Sequence, residues 1–388
     1  MSSVSPSSDA KCWVGSWACA PQLTEPANLP PEPGLADNTL RQVVFPTLGG
    51  SELRVRFSNE YGDGPLTLKA VHLARSTSPA STGGSGIDPR SDRALSFDGR
   101  PSLTIPAGEV RVSDVLSFPL RALEKLAITI CFGTVPPAVT GHPGSRTTSY
   151  LTRGHWATAE NLQSAVSIEH WYTIVGIDVI ASAASAAVVT YGDSITDGRG
   201  STTDGNNRWP DNLARRLQGH SGAARVAVLN QGIGGNAVLG AGLGPPAVER
   251  FDRDVLGPPS VRWLIVLSGV NDLCTSEAPD VAARLIGAYR QFIEKAHARR
   301  IRAYGVPIFP IGGSHYDAPE HEAARQTVNH WMRSSAAFDA VIDLEAVVRD
   351  PSNPTRLLPR YDSGDQLHLS VAGYQAMADA IDLGLFVP

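Results

Sequence analysis

A serine, an aspartate and a histidine stand in this chain where nucleophilic chemistry would need them. Residues 188–196 read Val-Val-Thr-Tyr-Gly-Asp-Ser-Ile-Thr, an apolar strand that stops on Gly-Asp-Ser. A hydroxyl at a strand exit has little to bond inside a fold and stands where a substrate can reach it. Far downstream lies Asp365-Gln-Leu-His368. Its histidine can take a serine proton near neutral pH, and an aspartate three residues earlier can hold the ring in orientation. The order nucleophile, acid, base points to a serine hydrolase with Ser194, Asp365 and His368 as its catalytic groups. Gly-Asp-Ser alone is also a common turn, so the weight comes from the blocks around it.

Those blocks come in chain order. The apolar run 226–230 leads into Gln231-Gly-Ile-Gly-Gly-Asn236, and the run 263–267 leads into Ser268-Gly-Val-Asn-Asp272. Three motifs at strand exits put their polar residues on the carboxyl edge of a parallel sheet, where open α/β folds bind ligands. With Asp365-x-x-His368 as the fourth block, the chain from about Val188 to Leu385 resembles the GDSL-type esterases, the SGNH hydrolase superfamily. The resemblance implies an oxyanion hole built from the backbone N–H groups of Ser194 and Gly235 and the side-chain amide of Asn271. It implies hydrolysis of carboxylic esters through an acyl-serine, without cofactor or metal. Acyl transfer to an alcohol or amine would use the same triad, and a glycan-binding module is the non-enzymatic alternative. One departure stands out: Leu369 and Ser370 follow His368, where the family often has Pro and then Asn or Asp.

Other residues are open to plainer readings. Asp193 reads as a cap on the turn after the strand and is carried as a candidate substrate contact. Asn271 alone could close an Asx-turn, and Asp272 reads as a support for it. His297, His321 and His330 fall in helix-like stretches and read as solvated or packed. His315, in a loop after a strand, is expected at the edge of the cleft. In the polar, glycine-rich loop Gly141–Ser149, His142 and Arg146 are the expected substrate contacts from the first half of the chain.

Gly232-Ile-Gly-Gly-Asn-Ala237 also satisfies the dinucleotide fingerprint G-x-G-x-x-A. The Gly- and Pro-rich residues after it cannot open a helix on a pyrophosphate, and an earlier strand precedes it, so nucleotide binding is set aside. No P-loop, H-E-x-x-H or paired C-x-x-C occurs.

These motifs need elements to hold them. From Pro210, Leu213 and Leu217 stand one turn apart, and Val281, Leu285, Ala288, Phe292 and Ala296 recur at helical spacing. Strands are expected over Arg302–Pro310 and Ala340–Leu344, with a last helix from Ser370 as N-cap. Before residue 180 the pattern is different. Short β-type runs at Trp13–Trp17, Leu53–Phe57, Leu66–Val71, Leu103–Ile105, Leu126–Ile130 and Trp171–Ile177 alternate with turn-rich stretches at Asn59–Pro65, Pro79–Gly86 and Thr134–Gly144. The expected architecture is an N-terminal antiparallel β-sandwich, jelly-roll-like, over residues 1–182, joined to a doubly wound parallel-sheet α/β catalytic domain over 183–388. The small-residue run Ala181–Ala187 is the expected passage between them. The first domain is expected to wall the cleft, with glycan binding as the alternative.

With 388 residues, 42% hydrophobic and 18% charged, the chain can bury two sizeable cores. A net charge of −5 and a pI near 6.1 leave no basic footprint for nucleic acid. Apolar runs are strand-sized, so no transmembrane segment is expected. The first eleven residues lack a basic start and an apolar core. The cytoplasm is therefore the expected compartment, with secretion the alternative if a signal has been removed. Cys12, Cys19, Cys131 and Cys274 are too few for a disulfide framework and are read as reduced, although Cys12 and Cys19 could bridge under oxidising conditions. The expected partner is a small-molecule or glycan ester with a short acyl group, because the loops Val238–Pro246 and Gly312–Pro319 carry no run of Leu, Phe or Met to line an acyl tunnel. Composition leaves the oligomeric state open.

Overall fold

The computed structural model describes residues 10–78, 83–240, 242–275 and 280–387, without the side chains of 274 and 275. Residues 1–9, the expected turn at 79–82, position 241 of the Val238–Pro246 loop and the Cys274 side chain lie outside the described residues.

Alternating strands and helices after Ser182 build a five-stranded parallel sheet. Its strands are Ala186–Gly192, Val226–Gly232, Val261–Leu267, Arg302–Gly305 and Ala340–Val341, and their spatial order is second, first, third, fourth, fifth. The first and third strands leave the chain in opposite directions across the sheet, which opens a crevice at their carboxyl ends. Side chains alternate between the two faces and both are covered, so the strands read as unbroken apolar runs. On one face, Val188, Val226, Ile265 and Tyr304 pack against Trp209, Leu213, Tyr374 and Met377 of helices Trp209–Gly219 and Val371–Ala380. On the other, Val189, Leu229, Leu264 and Val266 meet Leu285, Phe292, Val328 and Met332 of helices Val281–Ala298 and Pro319–Ser334.

The expected helices form for the reasons read from the sequence. Pro210 sits in the first turn of its helix, where a missing N–H costs nothing. Ser370 caps the last helix through its hydroxyl and Gly373 N at 3.3 Å. Two strands are shorter than expected. The one from Arg302 ends at Gly305, and the buried segment after it runs on without strand pairing. The one from Ala340 ends at Val341, because Asp343 caps a helical turn over Leu344–Val348.

Antiparallel sheets occupy the chain before Ser182. One orders Lys11–Ala18, Ile174–Ser182, Gly50–Ser58 and Val110–Val112. The other orders Val166–Ile168, Ser149–Arg153, Asn38–Val44, Leu126–Phe132, Leu66–Arg75 and Arg93–Ala94. A small third sheet pairs Trp171–Tyr172, Thr140–His142 and Gln22–Leu23. The expected Trp171–Ile177 strand is broken at Thr173, whose φ of 69° turns the chain from one sheet into another. The expected loop Thr134–Gly144 contains the Thr140–His142 strand, and the expected passage Ala181–Ala187 shrinks to residues 183–185.

The antiparallel and parallel sheets share one apolar core, in which Trp17, Val55 and Ile128 are continuous with Leu229 and Phe251. Strand Val226–Gly232 is the edge of the parallel sheet, and the Thr47 hydroxyl meets Val228 N at 2.9 Å and Val228 O at 3.1 Å. That contact covers an edge otherwise open to pairing. Cys12, Cys19 and Cys131 are free thiols, and burial pushes the Cys19 thiol far above its ordinary range. No described helix is long and apolar enough to cross a membrane.

Candidate active site

Strand Ala186–Gly192 ends at the crevice, and a single helical turn, Ser194–Asp197, begins immediately after it. Asp193 makes this turn possible, because its carboxylate accepts the Ile195 N–H at 3.0 Å as an N-cap. The cap leaves Ser194 at the first helical position, with its hydroxyl at the mouth of the crevice. Burial, with the Asp272 charge behind it, raises the Asp193 carboxyl to about 7. Asp193 points inward and does not line the cleft, so the expected substrate contact is corrected to a capping role.

His368 arrives on a loop that its own acid shapes. One Asp365 oxygen accepts the backbone N–H groups of Leu367 (3.1 Å) and His368 (2.8 Å), and the other accepts His368 Nδ1–H at 2.6 Å. A carboxylate only accepts, so the proton sits on Nδ1 and Nε2 keeps its lone pair. The Ser194 hydroxyl donates to that Nε2 at 2.7 Å. Hydrogen bonds to His368 and Leu367 hold the Asp365 carboxyl down at about 2 against the opposing effect of burial. Burial lowers the His368 pKa, Asp365 opposes the shift, and the Arg199 and Arg146 charges add to it. Asp362, the other carboxylate in this loop, accepts Gly364 N and Gln366 N at 2.9 Å each and shapes the turn instead.

The loop after strand Val226–Gly232 brings Gly235 to the same place. Its φ of 70° lies in the left-handed region, and a Cβ there would meet Leu243 at 3.0 Å, so a glycine is required. Asp272 accepts Val238 N and Leu239 N at 2.8 Å each, which pins this loop from below. The Asn271 amide donates to Asn236 O and accepts from the Tyr316 hydroxyl, both at 2.9 Å. Those bonds fix which way the amide faces. Arg250, fully buried, ties the strand exits together through Gly192 O, Gln231 O, the Asn236 side chain and Asp254.

Ser194, Gly235, Asn271 and His368 line one cleft of about 370 Å³. His315 and Arg146 line it as well, and Gln22, Glu25, Asn28 and His170 add a wall from the antiparallel sheets. His142 does not reach it. Its Nδ1 meets Ala20 O and its Nε2 meets Asp197 Oδ1, each at 2.9 Å, and the ring stacks on Trp171. The expected substrate contact is thus corrected to a tie between the two halves of the chain. Gly144 lets that loop close, since a Cβ there would stand 1.7 Å from Asp197 Oδ2.

Sequence reasoning missed Asp197, Arg199, Tyr316 and the Gln22–Asn28 wall. Asp197 follows Ser194 by one helical turn, so the helical period was a usable signal for it, whereas Arg199 lies beyond the end of that turn at Gly198. Nothing local marks Gln22, Glu25 or Asn28, which come to the cleft through long-range pairing. Among the described residues no group of three or more His, Cys, Asp or Glu side chains could hold a metal ion.

Residues 190–376 match the model of the GDSL-like lipase/acylhydrolase family. None of the curated proteins compared with the chain matches it. Among solved structures, a lipolytic protein assigned to the G-D-S-L family from Desulfitobacterium hafniense DCB-2 is 22% identical, with 50% of this chain and 97% of that one covered and a TM-score of 0.41. A GDSL-like lipase from Bacteroides thetaiotaomicron is 20% identical over 51% and 87% of the two chains, with a TM-score of 0.39. Est24, a carbohydrate acetylesterase from Sinorhizobium meliloti, is 13% identical over 50% and 96%, with a TM-score of 0.39.

Proposed function

Because residues 190–376 form a domain of the GDSL-like lipase/acylhydrolase family, we propose that this enzyme hydrolyses short-chain carboxylic esters of a sugar or small polar natural product through an acyl-Ser194 intermediate. The observation that carries the reading is the relay from the Ser194 hydroxyl to His368 Nε2 at 2.7 Å and from His368 Nδ1 to Asp365 at 2.6 Å.

Ser194 Oγ attacks the ester carbonyl carbon while His368 Nε2 takes its proton. The resulting imidazolium keeps its Nδ1–H on Asp365, whose ionised carboxylate stabilises the new charge. Negative charge on the carbonyl oxygen is met by the N–H groups of Ser194 and Gly235 and by the Asn271 amide. One such donor typically contributes about 3–4 kcal/mol to the transition state. Collapse breaks the C–O bond, and His368 hands its proton to the departing alcohol. Water, deprotonated by the same nitrogen, then attacks the acyl-serine; the bond to Ser194 Oγ breaks, His368 returns the proton to that oxygen, and the acid is released.

The lining of the cleft supports this substrate class. Most of its lining residues are polar, and Leu243, Leu367, Pro143 and Tyr316 give it scattered apolar surface. Such a lining suits a hydroxyl-rich alcohol with a short acyl group and offers a long acyl chain no continuous apolar run. The antiparallel domain acts as one wall of the site.

A series of nitrophenyl esters from C2 to C16 tests this, with kcat/KM expected to peak at C2 to C4 and Ser194→Ala expected to abolish turnover and the alcohol burst. A peak at C10 or longer would overturn the short-acyl reading. Undiminished turnover by Ser194→Ala would overturn the mechanism. Transfer product formed with added acceptor alcohols would move the reading to acyl transfer.

A further inference from the structure

We propose that the alcohol half of the substrate carries an anionic group, seated between Arg199 and Arg146 at the His368 end of the cleft. The inference rests on the ester-hydrolase reading above and narrows its substrate.

Arg199 lies at the cleft wall with its main chain locked. Its N–H donates to Ser194 O at 2.9 Å, and its carbonyl accepts the Tyr374 hydroxyl at 2.5 Å. The side chain is exposed, and among the described residues its guanidinium makes no hydrogen bond or ion pair. Arg146 faces it from the antiparallel domain. Its Nε is buried without a hydrogen bond. Its Nη2 stands 3.7 Å from Asp197 Oδ2, beyond hydrogen-bond range. Two guanidinium groups with unused donors thus flank one end of the site.

That end is the leaving-group end. Both positive charges weaken the imidazolium form of His368, the group that hands its proton to the departing alcohol. An anion on the alcohol would offset the two charges during the steps in which His368 is protonated. The acidic residues nearby do so only in part: Asp365 supports the ring from Nδ1, and the sole carboxylate paired with Arg146 is Asp197, at 3.7 Å, while Arg199 has no acidic partner among the described residues. Asp197 meets the His142 ring through Oδ1 at 2.9 Å. Glu25 is engaged within its own segment, where its carboxylate accepts the Gln22 and Asn28 amides. Gln22 Oε1 in turn lies 3.3 Å from where a Gly244 Cβ would stand, beside Leu243 and Gly235. The guanidinium groups of Arg199 and Arg146 are therefore the cations that line the cleft beside His368. A planar guanidinium fork matches a carboxylate better than a lone hydroxyl. If both arginines were merely solvated surface groups, substrate charge would not matter.

The test uses the acetate esters of 4-hydroxybenzoate and 4-hydroxybenzamide, which differ in the charge on the alcohol. The readout is kcat/KM for the anionic ester divided by kcat/KM for the neutral one in the same protein, so intrinsic reactivity cancels between variants. Arg199→Gln should lower that ratio about ten- to a hundredfold, the effect of a hydrogen bond to a charged group. Arg146→Gln should act in the same direction, and 0.5 M salt should shrink the ratio of the full-length wild-type protein. If Arg146→Gln fails to fold, Arg199→Gln decides alone. An equal ratio in wild type and Arg199→Gln overturns the inference while leaving the esterase reading intact. Absence of Ser194-dependent turnover on the neutral ester would instead overturn that reading.

Discussion

Replacing Asp365 by asparagine removes one charge and forces a choice on the amide that replaces it. In one orientation the amide oxygen still accepts the Leu367 and His368 N–H groups, and the amide nitrogen faces His368 Nδ1. The ring must then accept at Nδ1 and carry its proton on Nε2, where it faces Ser194 Oγ across 2.7 Å and cannot take the serine proton. The equivalent tautomer error in the Ser-His-Asp proteases costs about 10⁴ in kcat, roughly 5.4 kcal/mol at 1.36 kcal/mol per decade. In the other orientation the relay survives, but the amide nitrogen opposes two backbone donors that now sit 3.1 and 2.8 Å from the carboxylate. Two unsatisfied donors cost about 1–3 kcal/mol each, so this state is disfavoured by at least about 2 kcal/mol. Asp365→Asn should therefore lose at least about thirtyfold and up to about 10⁴-fold in kcat. The Asp365 side chain is 41% exposed, so the thermal midpoint should move by no more than a few degrees. Steady-state and burst kinetics on a nitrophenyl acetate, beside a thermal melt, measure both. A kcat within threefold of wild type, or an equal loss in Asp362→Asn, would refute the assignment of the acid.

The pH profile has a definite sign. His368 acts as base only when neutral, and burial holds its pKa below the ordinary 6.5; kcat/KM should rise with pH, level off near neutrality and show an acid-limb midpoint below 6.5. Asp365, at about 2, stays ionised across that range, and a midpoint above 7 would contradict a buried His368 whose pKa burial lowers. Gly144→Ala would place a methyl 1.7 Å from Asp197 Oδ2 and push the Arg146 loop off the catalytic domain. KM for a polar acetate should rise and stability should fall by about 1–3 kcal/mol, and unchanged KM and thermal midpoint would show that the loop does not need that contact.

Much of the catalytic centre was legible because its residues sit in short blocks with local reasons to be there. Gly-Asp-Ser at a strand exit needs an aspartate to cap the next turn, and the structure has Asp193 doing that. Asp365 and His368 find each other within one turn of chain. The parallel-sheet strands read as apolar runs because both faces are covered, and Leu213 and Leu217 read as a helix because one face is. Strand Asn38–Val44 escaped notice for the opposite reason. It is buried throughout yet polar in sequence, since Arg41 and Gln42 bond carbonyls of distant segments instead of alternating with water. His142 misled because a polar residue in a glycine-rich loop reads as exposed until a carboxylate from elsewhere takes it in.

By itself the sequence determined the order of strands and helices in the second half and offered the family resemblance and the candidate nucleophile, base and acid, because each is carried by blocks a few residues long. Only the tertiary structure decided what surrounds them. Arg146 and Arg199, one from each half of the chain, line one cleft together with Glu25 because the antiparallel and parallel sheets share a core. No local spacing along the chain encodes the distance between residues as far apart in sequence as Arg146 and Arg199.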